Sequence, residues 1–141
     1  MITVSYIGQK PTQGSELAAG YDVRSNATVI IQPSSPMPIT VTTKIQQPEG
    51  YCSLLMPRSS ICNKQSLILL NSIGLIDNDF LGELTFNFWN LSKVPVTIEK
   101  GERIGQLMFL AQTTAEFVEV DEFAETKRGD KGFGSSGKFY Y

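Results

Sequence analysis

The sequence predicts an all-β fold, an antiparallel barrel or jelly roll of short strands, and three observations carry that expectation. Apolar and polar residues alternate with period two at short intervals along most of the chain. Gly, Pro, Asn and Asp bound these stretches. Amphipathic helical periodicity is almost absent, and many short strands at such spacing are best accommodated by closure or by a double sheet, which limits exposed edges.

Taken in order, residues 2–6 and 27–32 read as short strands, the second ending in the turn Pro33-Ser-Ser-Pro36. Between them, Ala19-Gly20-Tyr21-Asp22 reads as a turn with polar edge chemistry. The clearest alternation sets Ile39, Val41, Thr43 and Ile45 against Thr40, Thr42, Lys44 and Gln46, and Pro48-Glu49-Gly50 then turns the chain into a strand over residues 51–55. One helical turn is predicted after Ser59-Ser60, from Ile61 to Lys64, with a serine hydroxyl free to cap the first N–H groups. A strand at residues 67–70 leads into an Asx-rich hairpin, Asn71-Ser-Ile-Gly-Leu-Ile-Asp77-Asn-Asp79-Phe80-Leu-Gly82. Leu84, Phe86 and Phe88 then alternate with Glu83, Thr85, Asn87 and Trp89, and further strands are expected at residues 94–98, 104–110 and 117–120. No repeat is visible, and no linker precedes the tail.

Composition narrows the function classes. A chain of 141 residues is one domain, able to bury about two thirds of its unfolded surface. With 41% hydrophobic and 18% charged residues it is neither disordered nor a membrane chain. No apolar run approaches the roughly 20 residues of a spanning helix, and Met1-Ile2-Thr3-Val4 lacks the start of a signal peptide, so no membrane association and a cytoplasmic location are expected. Net charge is −2 with pI near 5.1, and the only adjacent basic pair is Lys127-Arg128, which argues against DNA or RNA as partner. The chain has no histidine, so any hydrolytic base is a carboxylate, a Lys or a Cys. Cys52 and Cys62 are expected to be reduced, buried thiols with no chemistry of their own.

The tail, Arg128-Gly-Asp-Lys-Gly-Phe-Gly-Ser-Ser-Gly-Lys-Phe-Tyr-Tyr141, suits a lid that grips an anionic ligand. Its glycines let backbone N–H groups form an anion-binding concavity, Arg128 adds a fixed positive fork, Ser135 and Ser136 add hydroxyls, and Phe133 offers a face to a base. A disordered Gly/Ser tail is the plainer reading of the same composition.

Five segments, in this order, resemble the five motifs of the trimeric dUTP diphosphatase (dUTPase) family: Ala19-Gly20-Tyr21-Asp22, Pro57-Arg58-Ser59-Ser60, the Asn71 to Gly82 segment, Gly101-Glu102-Arg103-Ile104-Gly105-Gln106 and the tail. The match spans residues 19–137 and looks closest to bacterial and phage members. The resemblance implies a distorted β jelly roll (β-clip) catalytic domain over residues 1–127, with residues 128–141 as a flexible arm that closes the active site. It also implies a homotrimer with active sites shared between subunits. The implied reaction is Mg²⁺-dependent hydrolysis of dUTP to dUMP and pyrophosphate, which keeps uracil out of DNA and supplies dUMP for dTMP synthesis, in the cytoplasm of a cell or of a phage's host.

By the same resemblance Asp77 is the carboxylate that activates water, while Asn71 and the hairpin backbone, Gly74 included, read the uracil edge. Arg58, Ser59, Ser60 and Gln106 match positions that contact the triphosphate, and Arg128, Gly134, Ser135 and Ser136 match those that close over it. Phe133 matches the aromatic that stacks on the base, and Asp22 the aspartate that holds Mg²⁺ through water, in keeping with that ion's reluctance to dehydrate. Two positions depart from the pattern. Phe80 stands where Tyr is usual under the sugar, keeping the ring that excludes a 2′-hydroxyl, and Asp130-Lys131 stand where small residues are common. Three rivals remain in view: a dCTP deaminase-like enzyme, disfavoured because Asn87 aligns with the glutamate that acts as base there, a regulatory interaction protein built on the same fold, and a jelly-roll structural protein that makes no catalytic use of these residues.

Overall fold

The computed structural model describes residues 1–132. Twelve strands and one helix follow in the order β1 (Ser5–Ile7), β2 (Thr12–Gln13), β3 (Tyr21–Arg24), β4 (Val29–Ile31), β5 (Pro36–Thr40), β6 (Lys44–Gln46), β7 (Tyr51–Pro57), α1 (Ser59–Gln65), β8 (Leu67–Leu69), β9 (Gly74–Ile76), β10 (Thr85–Asn90), β11 (Val96–Ile98) and β12 (Arg103–Ala111). The fold is the all-β, jelly-roll type expected from the alternation. Its sheets are antiparallel, with strand orders β1-β6, β5-β10-β8, β11-β4 and β2-β3-β12-β7-β9. Among the described residues no helix is long and apolar enough to cross a membrane.

The core gathers the inward residues of every sheet. Phe86 and Phe88, on one face of β10, stack with ring centroids 5.8 Å apart, and Val23, Ile31, Leu55, Ile61, Ile98, Ile104 and Leu107 surround them, all fully buried. Gly105 makes this packing possible: a Cβ there would lie 2.0 Å from Cε1 of Phe86 and 2.7 Å from the Met56 carbonyl oxygen. A register shift between Arg103 and Gly105 bulges β12 at the same point. Buried Asn90 ties three segments together, its amide donating to the carbonyls of Ile31 and Val94 at 3.0 and 2.8 Å while its Oδ1 accepts from Ser92.

Several expectations are corrected. The single alternating stretch over residues 39–46 is two strands, because the chain leaves one sheet for another: Val41 and Thr43 bond to Leu84 between β5 and β6. The strand at residues 117–120 does not form. The last strand ends at Ala111, and residues 112–132 are exposed without a strand, so an extended segment does precede the tail. Phe117, which opened the expected strand, and Phe123 beyond it stand 96% and 90% exposed among the described residues. Cys62 is exposed and Cys52 half-buried, rather than buried, because both lie on outward faces of α1 and β7. Finally, neither serine caps α1. Arg58 takes the N-cap position in extended conformation, without a side-chain cap, and Ser59 and Ser60 fall inside the first turn.

Candidate active site

Strands β3, β12 and β7 lie side by side, and their register sets Asp22 opposite Gln106 and Gln106 opposite Met56. Cross-strand partners share a face, and Arg58 follows Met56 by two, so three of the candidate residues converge on one side of the sheet. Asp22 turns away from the core while its neighbour Val23 points in, yet it is only 6% exposed, because two arginines cover it. Arg58 places Nε 3.0 Å from Oδ1, and Arg103 places Nη1 3.1 Å from Oδ2. One carboxylate thus orients two guanidinium groups whose remaining N–H donors are available to phosphate oxygens. Within the segment Gly101-Glu102-Arg103-Ile104-Gly105-Gln106 the sequence assigns Arg103 no role of its own; the structure sets its charge on Asp22, and its place in the motif is the signal for it.

Gln106 is held by the same surroundings. Its Oε1 lies 2.4 Å from where a Cβ on Gly20 would sit, so the glycine admits the glutamine side chain. Ser59 is exposed and Ser60 half-exposed at the start of α1, next to Arg58.

The uracil and water-activating candidates occupy another part of the molecule. Asn71 is exposed in the loop after β8, where Ser72 adopts φ 62° and the Ile73 N–H meets the Asn71 carbonyl at 2.6 Å. The two apolar strands that this segment joins, β8 and β10, pair antiparallel as expected, but the connection is no plain loop: β9 forms within it and pairs with β7, which carries Asp77 to the edge of that strand. It follows β9, whose Ile76 pairs with Ser53, and is exposed at the Tyr51 end of β7. Gly74, opposite Leu55, lets the two backbones approach, since a Cβ there would meet the Leu55 Cβ at 3.2 Å. Phe80 is 43% exposed, and its ring lies over Gly82, where an added Cβ would be 2.7 Å from Cζ.

Arg58 stands at the opposite end of β7 from Asp77. Extending the register puts Asp77 level with Cys52, six residues from Arg58, which at strand rise is about 20 Å. The structure therefore joins Asp22, Arg58 and Gln106 and leaves Asp77 apart from them. Arg128 lies in an exposed turn, with its Nε donating to the Lys131 carbonyl at 2.9 Å. Phe133, Gly134, Ser135 and Ser136 lie outside the described residues. Asn87, in β10 opposite Pro38, keeps a buried Oδ1 without a hydrogen bond.

A metal would find no protein cage: no group of three His, Cys, Asp or Glu side chains converges among the described residues. Asp22 fits an outer role only. Its Oδ2 accepts a hydrogen bond from Arg103 and its Oδ1 is ion-paired with Arg58, which leaves lone pairs that can accept from a metal-bound water.

The dUTPase family model matches residues 8–137. The deoxyuridine 5′-triphosphate nucleotidohydrolase of Gamma-proteobacterium EBAC31A08 is 41% identical over 133 residues, which cover 92% of this chain and 93% of that protein. Among solved structures, the dUTPase of Staphylococcus bacteriophage 80alpha with dUPNHPP superposes with a TM-score of 0.85 at 30% identity, covering 96% of this chain and 98% of that one. The dUTPase of the S. aureus phage phi11, in a variant that reveals the coordination of a structural Mg(II) ion, gives a TM-score of 0.80 at 25% identity, covering 87% of this chain and 99% of that one.

Proposed function

The chain belongs to the dUTPase family, and on that premise we propose that it hydrolyses dUTP to dUMP and pyrophosphate at a site completed by two copies of the chain. Water attacks the α-phosphorus, a new P–O bond forms, and the bond from that phosphorus to the oxygen bridging to the β-phosphate breaks. The Asp77 carboxylate takes the proton from the attacking water, a role open to a carboxylate in a chain without histidine. Pyrophosphate leaves with the bridging oxygen.

Arg58, held by Asp22, and Gln106, admitted by Gly20, grip the phosphates, with Ser59 and Ser60 beside them. Because Arg58 is held by Asp22 before substrate arrives, little reorganisation of that guanidinium is needed as charge shifts toward the leaving group. Asn71 and the backbone near Gly74 read uracil. A site shaped for its carbonyls and N3–H mismatches cytosine, whose pattern is reversed at N3 and C4. Phe80 lies under the deoxyribose. Residues 128–141 form the arm, with Arg128, Ser135 and Ser136 at the phosphates and Phe133 on the base, and its closure excludes bulk water. Mg²⁺, when bound, neutralises charge on the triphosphate and fixes its shape, with Asp22 accepting from a water of its shell.

The observation that carries the reading is the separation between Asp77 and Arg58. The phosphorus atoms of a triphosphate are joined by only two bridging oxygens, and the Asp77 and Arg58 backbones stand about 20 Å apart along β7, which favours a base and a phosphate grip drawn from different copies. A neighbour's Asp77 brought to this chain's Arg58 resolves the mismatch, and a heterologous contact of that kind gives a ring when its rotation closes. We accordingly propose the homotrimer. The exposed apolar residues of the 112–132 segment, Phe117 and Phe123 foremost, support an arm that packs on another copy.

Pyrophosphate release by the purified protein with Mg²⁺ tests the activity. Release from dUTP, with dCTP, dTTP and UTP nearly untouched, is expected. Deamination of dCTP, or no turnover of any of the four, would replace this reading.

A further inference from the structure

We propose that Gln47 and Asn78 form a reciprocal amide clamp whose task is to position Asp77, making both of them positioning residues for turnover. The proposal rests on the reading of Asp77 as the base. The Gln47 side chain, only 6% exposed, donates from Nε2 to the carbonyls of Ile76 and Asp77, each at 3.2 Å. From the other side, Asn78 donates from Nδ2 to the carbonyls of Pro48 and Tyr51 at 2.7 and 2.8 Å. Two amides thus lace the β6–β7 turn to the residues on either side of Asp77. The Asp77 carbonyl also accepts the Phe80 N–H at 3.2 Å, so both of its lone pairs are used and its peptide plane is fixed.

Such fixing is needed here because Asp77 itself is exposed and follows a strand of three residues, with no packed side chains of its own to hold it. A base must hold its geometry to a fraction of an ångström, and displacement by about 1 Å costs on the order of a hundredfold in rate. Arg58 and Gln106 grip the phosphates away from the clamp, whereas Asn71, Gly74 and Phe80 share the loop with Asp77, so loss of the clamp should lower turnover more than it weakens substrate binding. Gln47 also keeps Oε1 buried and without a hydrogen bond, so its burial is not accounted for by full pairing; its two donated bonds are what the position secures.

The test uses the full chain with Mg²⁺ and compares wild type with Asn78→Ala and Gln47→Met, the second retaining volume while removing both donors. For each, kcat and KM for dUTP are measured together with Kd for the non-hydrolysable analogue dUpNHpp and with Tm. Asn90→Ala, which breaks buried amide bonds in another sheet, serves as a destabilised control. The clamp predicts that kcat falls about 10- to 100-fold while Kd rises by a clearly smaller factor, within about fivefold, and that Asn90→Ala lowers Tm without that fall in kcat. If both clamp variants lower Tm yet keep kcat within about twofold of wild type, the amides serve the fold alone and the proposal is overturned. Should one variant fail to fold, the other decides. Wild-type protein that binds dUpNHpp but turns over no dUTP would instead overturn the activity on which the clamp depends, and the clamp with it.

Discussion

The Nε of Arg58 lies 3.0 Å from Oδ1 of Asp22, an ion pair that ties the end of β7 to the middle of β3 and covers a carboxylate left only 6% exposed. Arg103 completes it from the other oxygen. The pair makes a phosphate-binding arginine part of the framework rather than a solvated side chain. Asp22→Ala leaves two half-exposed guanidinium groups without their acceptor, and a loss of about 2 kcal/mol in urea denaturation is expected, together with a raised KM for dUTP. A midpoint equal to that of wild type would mean the pair contributes nothing to the fold.

Gly20 and Gly105 separate binding from folding. At Gly105 an added methyl meets the buried Phe86 ring and the Met56 carbonyl, neither of which can move, so Gly105→Ala should cost about 3 kcal/mol or more and reduce soluble yield. At Gly20 the obstacle is the end of the flexible Gln106 side chain. Gly20→Ala should keep a near-native Tm and weaken dUTP binding by roughly tenfold through the displaced Gln106. Calorimetry and nucleotide titration on the two proteins check both outcomes, and the opposite pattern would remove Gln106 from the phosphate grip.

Phe80 should preserve discrimination between deoxyribose and ribose through its ring alone. Phe80→Tyr is expected to leave the ratio of kcat/KM for dUTP over UTP within about threefold, whereas Phe80→Ala should lower it by roughly tenfold or more. The Gly82→Ala change, which pushes the ring from its place, should behave like Phe80→Ala. An unchanged ratio in the alanine variant would assign the selectivity elsewhere.

Much of this was legible from residue order. Strands with strong alternation, such as the one around Phe86 and Phe88, formed where expected because their pattern and their burial agree. Two strands that carry site residues were read as turns. In β3, Asp22 and Arg24 flank Val23, and the strand exists because Gln106 and Thr12 pair with Asp22 from either side. In β9, Gly74 weakens local preference, and pairing with Leu55 of β7 supplies what the sequence does not. The expected strand at residues 117–120 failed for the converse reason: its pattern has no pairing partner among the described residues. At the site, charged residues in motifs announced themselves, while Gln47 and Asn78 did not, since a neutral amide bonded to main-chain carbonyls leaves no charge or spacing to notice. The distance between Asp77 and Arg58 was likewise invisible, because chain order does not say which end of β7 each one occupies.

The sharing of one site by two copies is tested most directly by complementation. Asp77→Asn and Arg58→Ala proteins, each expected to be nearly inactive in pyrophosphate release from dUTP, are unfolded together in equal amounts and refolded. If base and phosphate grip come from different copies, random assembly leaves about a quarter of the sites with both groups intact, and activity near that fraction of wild type should return. If both groups came from a single chain, every site would lack one of them. A mixture as inactive as its components would contradict the account.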